Sequence, residues 1–237
     1  MRYTLAALLL LLALAFPGAA LSQGPRSVVL ATHNLCPYGC YDEKGTFDGS
    51  AVQAVRHAFQ QMNIPVSIVV VPWQQAQQMA RKGQADGFFA ASQNSRRDSE
   101  GIMSAVIADQ KWNWYLLRES RLDPASPDFK GQAKVGGFSG ANMLKWLQDN
   151  NYNVVGTPPN TEGLADMLLA QRLDAILANN KVMDEIVRKR QLHGVFRSVT
   201  LLDKPLGVYF SNRFLLQYPD FLKEFNKHVL EYRKENP

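Results

Sequence analysis

Short apolar runs alternate along the chain with segments whose apolar residues recur every three or four positions. Ser27 to His33 is a β-branched run and is predicted to be a strand. Asp42 to Gly49 is polar and reads as a turn region. Ser50 stands where it would cap a helix reaching about Met62, with Val52, Val55, Phe59 and Met62 on one face. Pro65 to Val71 is apolar apart from Ser67 and is predicted to be a strand buried on both faces. Trp73 to Lys82 is predicted helical and stops at Gly83. Asp86 to Ala91 is another buried strand. The order βαβαβ implies a parallel sheet with right-handed crossovers.

A second set follows. Lys111 to Arg118 is a predicted strand, and Glu119 to Gly131 is a connector rich in Asp, Pro and Ser. Ala133 to Phe138 is a strand, and Gly140 to Asn150 a helix with Met143, Leu144 and Leu147 apolar. Asn153 to Val155, Thr161 to Gln171, Leu173 to Ala178 and Lys181 to Arg190 read as strand, helix, strand and helix. Phe196 to Leu202 and Leu206 to Ser211 are further strands. Pro219 to about Glu235 is a closing helix, with Phe221, Phe225, Val229 and Tyr232 on one face. Two α/β units joined by more than one crossing strand make two lobes with a cleft between. Ligands usually bind in such clefts, at the carboxyl ends of strands.

The amino-terminal residues lie outside this pattern. Arg2 precedes an unbroken apolar run from Leu5 to Phe16, which Pro17-Gly18 breaks, and Ala20-Leu21-Ser22 gives a small-x-small site before Gln23. This is the layout of a secretory signal peptide over residues 1–22. The run is too short to span a bilayer, which needs about 20 apolar residues. The alternative is an uncleaved anchor. Export to the periplasm is therefore expected. The composition is that of an ordinary globular protein, with 46% hydrophobic and 20% charged residues. A formal charge of +5 is spread along the chain in short clusters such as Arg96-Arg97 and Arg188-Lys189-Arg190, without the basic stripe of a nucleic-acid binder. Arg2 leaves with the signal.

Export gives meaning to the two cysteines, Cys36 and Cys40. An oxidising compartment favours a disulfide, and Pro37 and Gly39 between them suit a tight loop. The loop is so short that the bridge would shape it rather than hold the fold. A metal site formed with His33 is the alternative, but it offers only three ligands. No cofactor is expected.

The mature chain, roughly 27–232, resembles the family 3 periplasmic solute-binding proteins, the type II fold of amino-acid receptors. Four segments carry the resemblance. They are Asp42-Glu43-Lys44-Gly45-Thr46-Phe47-Asp48-Gly49, then Val71-Pro72-Trp73 with Lys82-Gly83-Gln84-Ala85-Asp86, then Ser92-Gln93-Asn94-Ser95-Arg96-Arg97, and Val135-Gly136-Gly137-Phe138-Ser139-Gly140 with Arg172-Leu173-Asp174-Ala175. The resemblance implies a two-lobed α/β protein, each lobe a mostly parallel sheet flanked by helices. Lobe 1 would hold residues 23–110 and 203–237, and lobe 2 residues 111–202.

The resemblance also implies a ligand site. Arg97 matches the family arginine counted back from Met103-Ser104, and Arg96 matches it counted forward from Asp86. A guanidinium binds a carboxylate through a planar fork. Ser92 and Asn94 would add donors. Gly140 and Asn142 open a helix whose free N–H groups attract an anion. Trp73 and Tyr38 would form aromatic walls, while Trp112 and Trp114 are expected to pack at the hinge. Where the family's amino-acid receptors hold the ligand ammonium with an acid, this chain has Asn179. Burying an ammonium without a counter-charge is costly, so a carboxylate lacking an amine fits as well as an amino acid.

The expected function is capture of a small carboxylate, an amino acid or related polar organic acid, by a monomeric exported protein. The resemblance implies delivery to an ABC transporter permease in the inner membrane. A periplasmic sensory or partner-binding module of the same fold is the alternative. An exported dehydratase-like enzyme would need a paired acid and base in the cleft. His57, His193 and His228 show no such partner in the sequence.

Overall fold

The structure is a computed structural model and describes residues 24–236. The apolar leader and its cleavage pattern lie outside the described residues. The first unit runs β1 (Val28–Thr32), β2 (Cys40–Tyr41), β3 (Phe47–Asp48), α1 (Ser50–Gln61), β4 (Val66–Val70), α2 (Trp73–Arg81), β5 (Gly87–Ser92), α3 (Ser95–Glu100) and β6 (Gly101–Met103). The chain then enters β7 (Lys111–Leu117), α4 (Phe129–Gln132), β8 (Val135–Gly136), α5 (Asn142–Asp149), β9 (Val154–Gly156), α6 (Thr161–Leu169), β10 (Ala175–Asn179), α7 (Asn180–Lys189) and β11 (Phe196–Asp203). It returns through β12 (Leu206–Ser211) and ends in α8 (Asn212–Gln217) and α9 (Phe221–Glu235).

Two five-stranded sheets result, ordered β4-β1-β5-β12-β6 and β11-β7-β10-β8-β9, beside a small β2-β3 hairpin. Read from opposite ends, the two large sheets share one plan. β4, β1 and β5 are parallel, as are β9, β8 and β10. In each sheet the next strand comes from across the hinge and runs antiparallel, β12 in the first and β7 in the second. Four strands of each sheet thus point one way, which is the mostly parallel, two-lobed α/β architecture expected.

The likeness extends to side chains. The Asp86 carboxylate accepts the Val29 N–H at 2.9 Å, and the Asp174 carboxylate accepts the Lys134 N–H at 2.8 Å. Each acid precedes the third strand of its unit and ties down the start of the first. The sequence shows only Asp86-Gly87-Phe88-Phe89-Ala90 against Asp174-Ala175-Ile176-Leu177-Ala178, too little to announce a repeat.

The core surrounds the central strands of both sheets. β5 and β10 are buried along their whole length. Phe59, Phe210, Phe221 and Phe225 pack α1 and α9 onto the first sheet. Three expectations need correction. Pro65 to Val71 is not a strand buried on both faces: β4 is the edge of its sheet and is only half-buried. Its Val66, Ile68 and Val70 are partly buried and pack against the core from that edge. Trp112 and Trp114 sit inside β7 of the second sheet rather than at the hinge, with Trp114 against Phe129 and Tyr152. Ser50 is the first helical residue of α1, and Gly49 is the cap.

That cap has a physical reason. The α1 N–H groups of Ser50, Ala51 and Val52 reach the carbonyls of Pro37 and Tyr38 at 3.0–3.3 Å. The Cys36–Cys40 loop thereby does the work of a capping side chain. Its sulfurs are bonded, with the Cα atoms 5.1 Å apart.

The chain crosses between the lobes at 104–110 and 204–205. The two crossings pair with each other: Leu206 N–H reaches the Ala108 carbonyl at 2.9 Å and Lys204 N–H the Gln110 carbonyl at 3.0 Å. The Gln110 side chain adds a bond to the Lys204 carbonyl at 2.6 Å.

Candidate functional site

The carboxyl ends of β1, β5, β8 and β10 face one another across the hinge and line a pocket between the two sheets. Its wall includes His33, Trp73, Ser92, Arg97, Asn142 and Asn179, with Gln110 at the base and Leu35, Phe138, Met143 and Leu206 as apolar surface.

Arg97 is the charged group on this wall and is 4% exposed. Asn94 caps α3 by accepting the Arg97 N–H at 2.7 Å, which turns the side chain inward. Its Nη1 donates to the Ser92 carbonyl at 2.6 Å, and its Nε and Nη2 donate to the Gln77 amide oxygen at 3.3 and 3.2 Å. The guanidinium lies 5.1 Å from the centre of the Trp73 ring. Trp73 and Gln77 are one helical turn apart on α2, so a single helix face supports the cation. Burial pulls the guanidinium pKa down to about 10, with Tyr209 and Glu100 opposing and neighbouring Arg96 assisting. It remains charged at neutral pH. Among the described residues no carboxylate lies within ion-pair distance of it. Arg96 points elsewhere, with its side chain 67% exposed and paired with Glu100.

Asn142 bridges the lobes. From the first turn of α5 its Nδ2 donates to the Ser92 carbonyl at 2.8 Å, the Ser92 hydroxyl at 2.9 Å and the Gln93 carbonyl at 3.3 Å. Its oxygen accepts from Asn94 Nδ2. Trp73 Nε1 donates to the Gly140 carbonyl at 3.0 Å, and Gln74 reaches the Ser139 hydroxyl at 2.7 Å. The lobes are closed over the cavity by these bonds. Replacing Asn142 with Ala removes most of the set. Each hydrogen bond is worth about 0.5–1.5 kcal/mol net, so closure should weaken by roughly 1–3 kcal/mol. Small-angle scattering of the free protein should show a larger radius of gyration for Asn142→Ala. Identical scattering from both proteins would mean that Asn142 does not hold the lobes together.

The sequence-predicted residues therefore separate into three places. Ser92, Arg97, Trp73, Asn142 and Asn179 meet at the inner cavity. Asn94 and Gly140 line the outer mouth, beside Arg81, Arg96 and Lys145. Tyr38 does not reach the inner wall: its hydroxyl donates to the Asp109 carbonyl at 2.8 Å and lies 3.2 Å from Asn179 Oδ1, behind the hinge. Asn179 is 1% exposed, caps α7 through the Val182 N–H and donates to Gln110. Its polar atoms are already engaged.

Sequence reasoning missed Gln77 and Gln110 as parts of the site, and no motif marks them. The sequence marked His33 only as a candidate metal ligand. His33 follows β1, stacks on Trp73 with ring centroids 4.5 Å apart, and has no hydrogen-bond partner on either ring nitrogen. Burial, and then the Arg97 charge, hold its imidazole near pKa 3 and therefore neutral. An unfolded imidazole takes up a proton near pH 6.5, whereas this one does not until about 3. The unfolded state binds more protons in that window, so stability falls as pH falls through it. The slope from this group is at most about 1.4 kcal/mol per pH unit. Denaturant melts near pH 7 and near pH 5 should show a larger acid loss for the parent protein than for His33→Phe. Equal losses would mean that the folded imidazole titrates normally.

Comparison with known proteins follows this geometry. Residues 28–111 match the family model of bacterial extracellular solute-binding proteins, family 3. The first unit is thus similar in sequence to that family. The resemblance read in the sequence is borne out, although the match spans β1 to β6 and reaches neither β12 nor the body of the second sheet. No curated protein matches the chain in sequence. Solved structures match nearly all of it. A histidine kinase sensor domain with similarity to periplasmic binding proteins superposes with TM-score 0.78 at 18% identity, covering 89% of this chain and 92% of that one. An ancestral arginine-binding protein bound to arginine gives TM-score 0.75 at 17% identity, over 90% and 95%. The ligand-binding core of GluR0 from Nostoc punctiforme, in complex with L-glutamate, gives 0.73 at 16%, over 88% and 94%. The fold is that of two-lobed ligand-binding proteins. No helix among the described residues is long and apolar enough to cross a membrane.

Proposed function

We propose that this chain is an exported binding protein that captures a small carboxylate-bearing ligand between its lobes and delivers it for ABC-type uptake. The observation that carries the reading is Arg97: a buried guanidinium on the cavity wall with no carboxylate of the protein beside it. Leaving such a charge unpaired is costly, and a ligand carboxylate repays that cost. Two of its five N–H groups remain after its bonds to Ser92 and Gln77. The amino-terminal end of α5 at the same wall also favours an anion. Arg97, not Arg96, is the clamp in this reading. Ser92, Asn142 and Trp73 shape the site, while Asn94 and Gly140 hold its mouth.

A second reading keeps the ligand and changes the readout. The likeness to a histidine kinase sensor domain favours a periplasmic sensory module, in which closure of the lobes is passed to a partner instead of a permease. A thermal-shift screen of amino acids, organic acids and polyamines tests the shared part. A ligand at 100 times its Kd stabilises the folded state by about 2.7 kcal/mol. Carboxylates should raise the melting temperature and polyamines should not. A response to polyamines alone would overturn the carboxylate reading.

A further inference from the structure

The polar groups on the cavity wall are almost all bonded to one another. Ser92 is held by Asn142 and Arg97, Asn142 by Ser92, Gln93 and Asn94, and Asn179 by Tyr38, Gln110 and Val182. Gln110 is held by Lys204 and Asn179. Two wall groups keep unmet hydrogen-bonding capacity. One is Arg97. The other is His33, whose two ring nitrogens are shielded from solvent and unpartnered. Both lie against the same Trp73 ring, at 5.1 and 4.5 Å from its centre. The rest of the wall is apolar or already satisfied, and among its described residues there is no carboxylate.

Buried polar groups in folded proteins find partners, so an unpartnered donor and acceptor on a ligand cavity describe the partner they lack. We propose that His33 is the specificity residue of the site and reads a neutral oxygen, a hydroxyl or carbonyl, on a carboxylate whose acid group sits on Arg97. The preferred ligand is thus a small hydroxy or oxo carboxylate with an apolar body, rather than an amino acid. This rests on the carboxylate reading above and adds what the other end of the ligand must be. A neutral imidazole carries one donor and one acceptor, which suits a hydroxyl or a carbonyl. It could accept from an ammonium but would not neutralise it. An ammonium here would be buried beside the Arg97 cation with no counter-charge on the wall.

The test uses sets of acids that share a carbon skeleton: lactate, alanine and propanoate; 2-hydroxyisocaproate, leucine and 4-methylpentanoate; phenyllactate, phenylalanine and 3-phenylpropanoate. Calorimetric titration is run on the parent protein and on His33→Phe, His33→Gln and Arg97→Ala. Phe keeps the stacking on Trp73 and removes both nitrogens, while Gln keeps a donor and an acceptor. In at least one set the hydroxy acid should bind the parent about tenfold more tightly than the plain acid, with the amino acid weakest. His33→Phe should bring hydroxy and plain acid together, and His33→Gln should keep part of the gap. If His33→Phe fails to fold by circular dichroism, the His33→Gln series decides. Carboxylates that bind with no hydroxyl preference, or amino acids that bind best, would overturn the role of His33 and leave the carboxylate reading standing. No binding from any acid would overturn both. Binding that survives Arg97→Ala would overturn the clamp alone.

Discussion

Arg97→Ala should abolish carboxylate binding while changing the ligand-free melting temperature little. Removing one partner of a buried charge pair costs about 2–5 kcal/mol, or roughly thirtyfold to several thousandfold in Kd. The ligand-free protein is a different balance. Arg97 makes three hydrogen bonds and rests on Trp73, which stabilises it. Its charge is also buried without a carboxylate, which destabilises the same state. The Ser92 carbonyl keeps its bond from Asn142 when the guanidinium is gone. The two effects therefore oppose one another and the melt moves little. Arg97→Lys separates charge from shape: it keeps a cation but loses the planar fork, and should recover only part of the affinity. Calorimetry with the tightest carboxylate from the screen checks both variants. Full affinity in Arg97→Ala, with loss in Arg96→Ala, would move the clamp to the outer surface.

The alternation of short apolar runs with helical stretches disclosed the two α/β units and the cleft at the strand ends. It did so because β5 and β10 are uniformly buried and so uniformly apolar. The same signal misled at β4, where a half-buried edge strand carries the composition of a central one. The choice between Arg96 and Arg97 could not be read from spacing. It depends on where α3 begins, because one residue of helix rotates a side chain by about 100°, and the Asn94 cap fixes that start. Asn179 was legible as the place where an acid is missing. Its engagement with Tyr38 and Gln110 was not, because those partners lie 141 and 69 residues away. His33 was visible as a residue type. Its lack of partners is a property of the packed wall and leaves no trace in the sequence.

Gly49→Ala should be among the most destabilising single substitutions in the first lobe, although a surface turn before a helix looks tolerant. Gly49 has φ 154° and ψ 174°, a region that only glycine enters readily. A Cβ there would stand 2.5 Å from the Pro37 oxygen and 2.6 Å from the Tyr38 carbonyl carbon. Those are the carbonyls that cap α1, so the clash falls on the contact that joins the disulfide loop to the helix. Backbone strain of about 1–3 kcal/mol adds to the lost cap, for a total near 3 kcal/mol. In a chain of this length that is roughly 6–12 °C in Tm. Gly45 provides the control. It also has a left-handed φ, of 78°, but a Cβ there meets nothing within 4 Å. Gly45→Ala should cost only about 1 kcal/mol. The difference between the two melts reads the clash together with the more restricted dihedral of Gly49. The consequence reaches the hinge, because the displaced loop carries Tyr38, whose hydroxyl holds the Asp109 carbonyl and Asn179. Gly49→Ala should therefore weaken ligand binding as well as lower Tm, whereas Gly45→Ala should leave binding intact. Equal melting temperatures for the two variants would mean that the loop yields to the added methyl group, and that it does not fix the hinge.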